Sequence, residues 1–283
     1  MSTEYTKEVT SMQSTRPTET SYLDQFDSLE EFYNYICSTP FNAAFRWSHH
    51  DSVDTGHHAA QWTGTETFDD AVLLLKRGWS DMAQKLVNKL KVLDKRAQPV
   101  QKRKPINAVA GYQPIVPLYL AGVPTSMVSH KMVPVKQKIV NLTKLFNYHA
   151  GISSEQIIEE SVKVMQVVKK LEAQGYRVNV DVAFGSSCDH RTVSATIRIK
   201  SANERLNVSK LAFPLVHPSM LRRLMFRYIE VCPNVTSGYT TGYGRPCERI
   251  TMQKFLPNSV VIPAIWDINP DKVSTIEDIK GVV

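Results

Sequence analysis

The fold is decided by Lys138–Lys200, KIVNLTKLFNYHAGISSEQIIEESVKVMQVVKKLEAQGYRVNVDVAFGSSCDHRTVSATIRIK. From Lys138 to Phe146, Val140, Leu142 and Phe146 stand against Ile139 and Leu145, so both faces carry bulk and a strand buried on both sides is predicted. Ser153 stands three residues before Gln156, the spacing at which a hydroxyl accepts a backbone N–H while the amide reaches back to the cap. A helix therefore begins there. Ile157, Val164, Val168 and Leu171 recur at helical spacing, and Gly175 closes the helix just after Gln174. Tyr176–Phe184 and Val193–Ile199 then alternate apolar with polar residues, the period of strands. The link from Gly185 to His190 is too short for a helical crossover, so these two strands pair antiparallel. Together these elements predict an α/β fold: a mixed, mainly parallel sheet flanked by helices, with one antiparallel edge.

Over residues 138–230 this element order resembles a von Willebrand factor A-type domain. In that family an Asp-x-Ser-x-Ser run after the first strand binds a hard cation through a carboxylate and hydroxyls. Here the run is Asn147, Tyr148, His149, Ala150, Gly151, so the resemblance implies the topology without the metal.

Working outward, the chain divides into a Ser/Thr-rich disordered tail (1–21), a helical N-terminal part (22–104), a Pro-rich connection (105–137) and the α/β domain (138–283). Ser28 with Glu31 and Thr67 with Asp70 cap two helices, the second ending near Gly78. Ser80 starts a third, with Met82, Leu86, Leu90 and Leu93 as its apolar stripe. Pro105, Pro114, Pro117, Pro124 and Pro134 exclude a helix between them. The apolar content of Ile106–Met127 predicts an irregular segment packed on the domain. Pro218 suits the first turn of a helix carrying Leu221, Leu224, Met225 and Tyr228, flanked by Arg222, Arg223 and Arg227. Val260–Ile268 reads as a last strand interrupted by Pro263, and Ser274 with Glu277 caps a terminal helix.

With 283 residues, 42% of them hydrophobic, the chain can bury a full core. It holds no apolar run long enough to span a bilayer, and its N-terminus is polar, so no membrane partner is expected and cytoplasmic residence is predicted. Cys37, Cys188, Cys232 and Cys247 are too scattered for a disulfide framework. Charge is the informative quantity. From Lys76 to Lys104 ten basic residues face Asp81 and Asp94, giving +8 of a net +7, so the remainder is near −1. Basicity this local suits an anionic partner, and Lys85, Lys89, Lys91, Lys95, Arg96, Lys102, Arg103 and Lys104 are the candidate nucleic-acid-binding residues.

Other clusters are weaker. His49, His50, Asp51, His57 and His58 lack a metal-ligand spacing and read as a polar loop. Cys188, Asp189 and His190 sit together in a hairpin, where a thiolate beside an imidazole is nucleophilic only with the right mutual orientation. Gly238–Gly244 with Arg245 and Arg249 reads as a surface loop able to cradle a phosphate, with Tyr239 and Tyr243 available for base stacking. No cofactor or metal is expected, and no catalytic residue is assigned.

Arg46-Trp47-Ser48, Arg77-Gly78-Trp79, Ala108-Val109-Ala110-Gly111, PLYLAGVP from Pro117 to Pro124, and LAFPLVHPSMLRRL from Leu211 to Leu224 resemble a family of uncharacterised proteins from tailed bacteriophages and mobile elements. That resemblance implies a viral origin and a bacterial cytoplasm. The resulting expectation is a non-enzymatic phage-type accessory protein binding nucleic acid through a basic helix. The alternatives are a host- or phage-protein-binding module using the sheet's carboxyl edge, and a hydrolase or nucleotide enzyme whose groups Asn147, His149, Ser186, Asp189 and His190 converge at the strand ends.

Overall fold

A computed structural model describes residues 6–8, 20–46, 50–90, 101–134, 138–149 and 151–265, with Pro270, Glu277 and Ile279. The chain opens with strands β1 (Thr6–Glu8) and β2 (Thr20–Phe26) and helices α1 (Leu29–Ser38), α2 (His57–Thr63), α3 (Phe68–Arg77) and α4 (Ser80–Leu90). An arm follows, made of β3 (Gln101–Ala108), β4 (Gln113–Pro114), α5 (Val116–Leu120) and β5 (Met127–Pro134). The body resumes with β6 (Ile139–Leu145), α6 (Ser154–Ala173), β7 (Arg177–Cys188), β8 (Arg191–Lys200) and α7 (Val208–Val216). A π-helical turn, Met220–Met225, runs directly into α8 (Phe226–Val231), and β9 (Arg245–Pro246), α9 (Arg249–Phe255) and β10 (Val260–Ile262) complete the described elements.

The main sheet is mixed and mainly parallel, ordered β1-β2-β8-β7-β6-β10, with helices flanking it. β6 runs parallel to β7 through the α6 crossover and parallel to β10 on its other side, while β7 and β8 form the expected antiparallel pair. β9 pairs with Ser186 and Ser187 of β7, beyond the point where β6 ends. One face of the sheet carries most of the core: Leu142, Val180, Val182, Val193 and Ile197 pack with Val164, Met165 and Val168 of α6 and with Phe213 and Leu224. The opposite face buries Leu145, Ala183 and Val261 against Cys247 and Met252.

The local signals behave as their chemistry requires. Ser153 accepts from the Gln156 N–H while Gln156 accepts from the Ser153 N–H, and Thr67 and Asp70 exchange the same pair of bonds. At α1 only half a box forms. Ser28 accepts from the Glu31 N–H, but the Glu31 carboxylate takes the N–H of Asp27. Gly78 and Gly175 both adopt positive φ at the ends of their helices. The four cysteines are free thiols. The Ser274 cap and the strand beyond Ile265 lie outside the described residues.

Several expectations are corrected. Thr6–Glu8 and Thr20–Phe26, assigned to a disordered tail and a helical part, are strands, and β2 runs parallel to β8 so that β8 is internal rather than an edge. Asp24 and Gln25 interrupt the apolar alternation that would have marked β2; Asp24 is nonetheless buried, accepting from the Tyr228 hydroxyl at 2.7 Å. The segment from Ile106 to Met127 is not packed on the domain. It is the far part of an antiparallel arm and is exposed along most of its length. The helix after Pro218 is a π turn before it becomes an α-helix, and the wider turn carries positions that would flank an α-helical stripe onto the buried face.

Arg222, Arg223 and Arg227 consequently point inward. Arg223 is fully buried, and all five guanidinium N–H groups are satisfied. Nε donates to Thr65 Oγ1 at 2.8 Å, Nη1 to the carbonyls of Ser52 and Asp54, and Nη2 to those of Thr65 and Glu66. Arg222 donates to the Trp62 and Ile152 carbonyls, and the Arg227 guanidinium lies 3.7 Å from the Phe41 ring centroid. Glu230, also fully buried, accepts from the Ser52 N–H and hydroxyl and from Tyr243 Oη at 2.7 Å. Segment 50–66, which contributes no strand, is thus held by side chains from the π turn and α8.

Replacing Arg223 with Met should remove the donor from the buried carbonyls of Ser52 and Thr65 and from the part-buried carbonyls of Asp54 and Glu66, and lower unfolding stability by about 3 kcal/mol. Arg223→Lys should recover only part of this, because an ammonium cannot reproduce the planar fork. Equal stability of R223M and wild type in urea would remove Arg223 from its role. His217 supplies a pH test. It is buried against Phe213 and Trp79, accepts from the Ser219 N–H, and burial pushes its imidazole down to about 4. Its folded value lies below its unfolded one, so stability is fully present above pH 6.5 and falls by about 3 kcal/mol as the pH drops towards 4. His217→Gln should flatten that limb in chemical denaturation at pH 7 and pH 4.5.

Candidate functional site

The predicted basic residues divide between two elements. Lys85 is exposed on α4, whose described part ends at Leu90. Lys91, Lys95 and Arg96 lie outside the described residues. Lys89 stands on α4 and Lys102 on β3. Arg103 and Lys104 follow Lys102 on β3, the first strand of the arm, so a basic helix does not carry the whole set. Arg103 and Lys104 are exposed and, as neighbours in a strand, point to opposite faces.

Pairing across the arm adds a residue that local reading of the charge run missed. β3 and β5 are in register from Gln101 opposite Pro134 to Ala108 opposite Met127, which sets Lys104 directly opposite Lys131. Like charges facing each other across a ladder are unfavourable. No Asp or Glu occurs between Asp94 and Glu155 to offset them. Among the described residues none of Arg103, Lys104 and Lys131 has a carboxylate partner. His130, one residue before Lys131, stacks on Tyr112 with centroids 4.7 Å apart and planes at 9°.

The far end of the arm is apolar and uncharged. Val109 (72% exposed), Tyr119 (69%) and Leu120 (79%) form a cap with Val116, and these are among the most exposed large apolar side chains described, whereas Tyr112 turns back along β5 to His130. Gly111 fits here for steric reasons: a Cβ would lie 2.0 Å from the Val128 carbonyl oxygen across the arm. No helix among the described residues is long and apolar enough to cross a membrane.

The remaining candidates are absorbed into the structure. His50 Nε2 is 2.9 Å from the Phe45 carbonyl, and its ring packs edge-on against Phe41; His49 lies outside the described residues. The described residues contain no group of three or more metal-ligating side chains. Tyr239 and Tyr243, read as available for stacking on bases, are buried. Tyr239 donates to the Ser186 and Arg191 carbonyls, and the Tyr243 ring lies flat on Phe226 at 4.2 Å. Gly238–Gly244 is therefore anchored by its two tyrosines, while Thr241 and Gly242 stay exposed.

The strand-end cluster does not converge. Asn147, His149 and Ser186 line one cavity of about 590 Å3, whereas Asp189 and His190 line another of about 870 Å3. Asn147 is occupied by the Cys247 carbonyl and the Gly185 N–H, and the Ser186 hydroxyl by the Tyr243 carbonyl. Asp189 and His190 form the left-handed turn between β7 and β8. Burial, followed by the Asp189 charge, raises the Cys188 thiol, opposite to what a nucleophile needs. Lys144 was not singled out from the sequence. Burial pushes it down to about 7, and its amine donates to the carbonyls of Pro263 and Ala264, fixing the chain where it leaves β10.

The facing lysines make a prediction about the free protein. Lys131→Glu should turn a repulsive cross-strand pair into an attractive one and slow amide exchange in β3 and β5 by about twofold or more at low salt. Unchanged or faster exchange would show that the pair is not strained.

No curated protein and no solved structure matches the chain. A family described as a domain of unknown function, DUF7192, matches residues 6–281, nearly the whole length. The chain therefore belongs to the DUF7192 family.

Proposed function

We propose that this chain is a non-enzymatic accessory protein of phage type, acting in the cytoplasm, that binds nucleic acid through the basic arm, with Lys85 and the rest of the α4 region as a flank. The observation that carries this reading is the facing Lys104–Lys131 pair, beside Arg103, on a ribbon without a carboxylate. Phosphates relieve that repulsion and release counterions on binding, whereas within the free chain the pair is unfavourable. β4 joins β5 only at Met127 and Val128, so the part of the arm that carries the pair is two-stranded and has dimensions that a nucleic-acid groove admits. The viral assignment rests on the sequence resemblance given above.

Fluorescence anisotropy with labelled duplex and single-stranded oligonucleotides tests the reading. Affinity should fall steeply between roughly 50 and 200 mM salt, and Arg103→Glu with Lys104→Glu and Lys131→Glu should lower it by about tenfold or more. Lys85→Glu should have a smaller effect if α4 is only a flank. Binding that is absent, insensitive to salt, or untouched by the triple reversal would overturn the proposal.

A further inference from the structure

The apolar cap calls for an explanation that charge alone does not give. Exposed Leu, Val and Tyr side chains gathered at the end of a ribbon are unfavourable in water, and contiguous patches of this kind mark contact surfaces. The cap lies ahead of the cations. Lys104 and Ala108 are four residues apart in β3, about 13 Å at strand rise, which exceeds a groove depth of about 8 Å.

We propose that the cap is a wedge for double-stranded DNA, with Leu120 and Tyr119 leading it between base steps while Arg103, Lys104 and Lys131 hold the flanking phosphates, so that binding bends the duplex. This inference rests on the nucleic-acid reading and adds the substrate form and the consequence. Apolar side chains inserted into a groove unstack steps and kink the helix, and the deformation is offset by the additional contacts a bent duplex makes. Tyr119 adds a ring that can stack on an unstacked base.

Two features favour DNA over a lipid surface. Arg103 and Lys104 project from opposite faces of a thin ribbon, as phosphate strands on both sides of a groove require. The cap is also built largely from irregular backbone, at 109–112 and 121–126, around a helix of five residues. Hydrocarbon offers no partners for such backbone, whereas base edges and phosphates do.

The test uses the full chain and a duplex of roughly 30 base pairs carrying a donor and an acceptor dye at its ends, with binding read separately by anisotropy. Wild type should raise transfer between the ends. Tyr119→Ser with Leu120→Ser changes only solvent-exposed side chains; it should keep affinity within about threefold, because the phosphate contacts remain, yet abolish the rise in transfer. The Arg103, Lys104 and Lys131 reversal should lose both signals. Wild type binding without bending, or the cap variant bending the duplex as wild type does, would overturn the wedge and leave the nucleic-acid reading standing. No DNA binding, together with flotation of the chain on phosphatidylserine vesicles that the cap variant loses, would overturn both.

Discussion

A buried guanidinium organises this protein. Segment 50–66 has one short helix, α2, and no strand, so most of its backbone carbonyls must find partners outside regular structure or stay in water. Arg223 meets four of them together with the Thr65 hydroxyl, and does so without a carboxylate in direct contact. Burial lowers its pKa, with Asp54 and Asp70 acting in the opposite sense, yet an arginine begins so high that it stays charged. Its neighbours extend the arrangement: Ser219 donates to the Thr63 carbonyl, Arg222 to the Trp62 carbonyl, and Glu230 takes Ser52 and Tyr243. The result joins the N-terminal helices to the sheet domain through polar contacts of fixed geometry. A hydrophobic contact alone would not specify that join so narrowly.

What the sequence disclosed and what it concealed divide along the distance between partners. The α6 cap is made by residues three apart, and the β7–β8 pair is joined by a two-residue turn, so both were legible from local pattern. β2 was not, because it carries Asp24, whose burial is balanced by Tyr228, 204 positions away. The arginines after Pro218 escape local reading for the same reason: the acceptors of Arg223 lie more than 150 residues earlier, those of Arg222 are divided between Trp62 and Ile152, and the π turn alters which positions face inward. The basic character of the candidate interface was visible as a count of charges. The pairing of Lys104 with Lys131 was not, since it depends on a register set by strands separated by the whole cap.

The arm was misread for a more instructive reason. Its prolines predict a segment without helix, yet α5 forms among them, and its Val, Ile, Leu and Tyr content predicts burial within the chain. In the structure Pro105 stands within β3, Pro114 ends β4 and Pro134 ends β5. Pro117 is in the first turn of α5, where a missing N–H is tolerated. The apolar residues between them do demand burial, but the body does not supply it.

Body and arm therefore follow opposite rules. In the body buried cations are given acceptors: Lys200 meets Glu172 at 2.6 Å and two carbonyls, and Arg223 meets five acceptors. In the arm two lysines face each other and a set of apolar side chains faces water. The facing lysines are unfavourable by an amount small enough, about 0.2–1 kcal/mol for one cross-strand pair, for the ladder hydrogen bonds to hold the ribbon together, while the exposed apolar side chains forgo the burial that the body gives its own. Neither arrangement is relieved within the chain, so the facing lysines and the exposed Val109, Tyr119 and Leu120 are where a partner of opposite charge and apolar surface would add what the body already supplies to its own side chains.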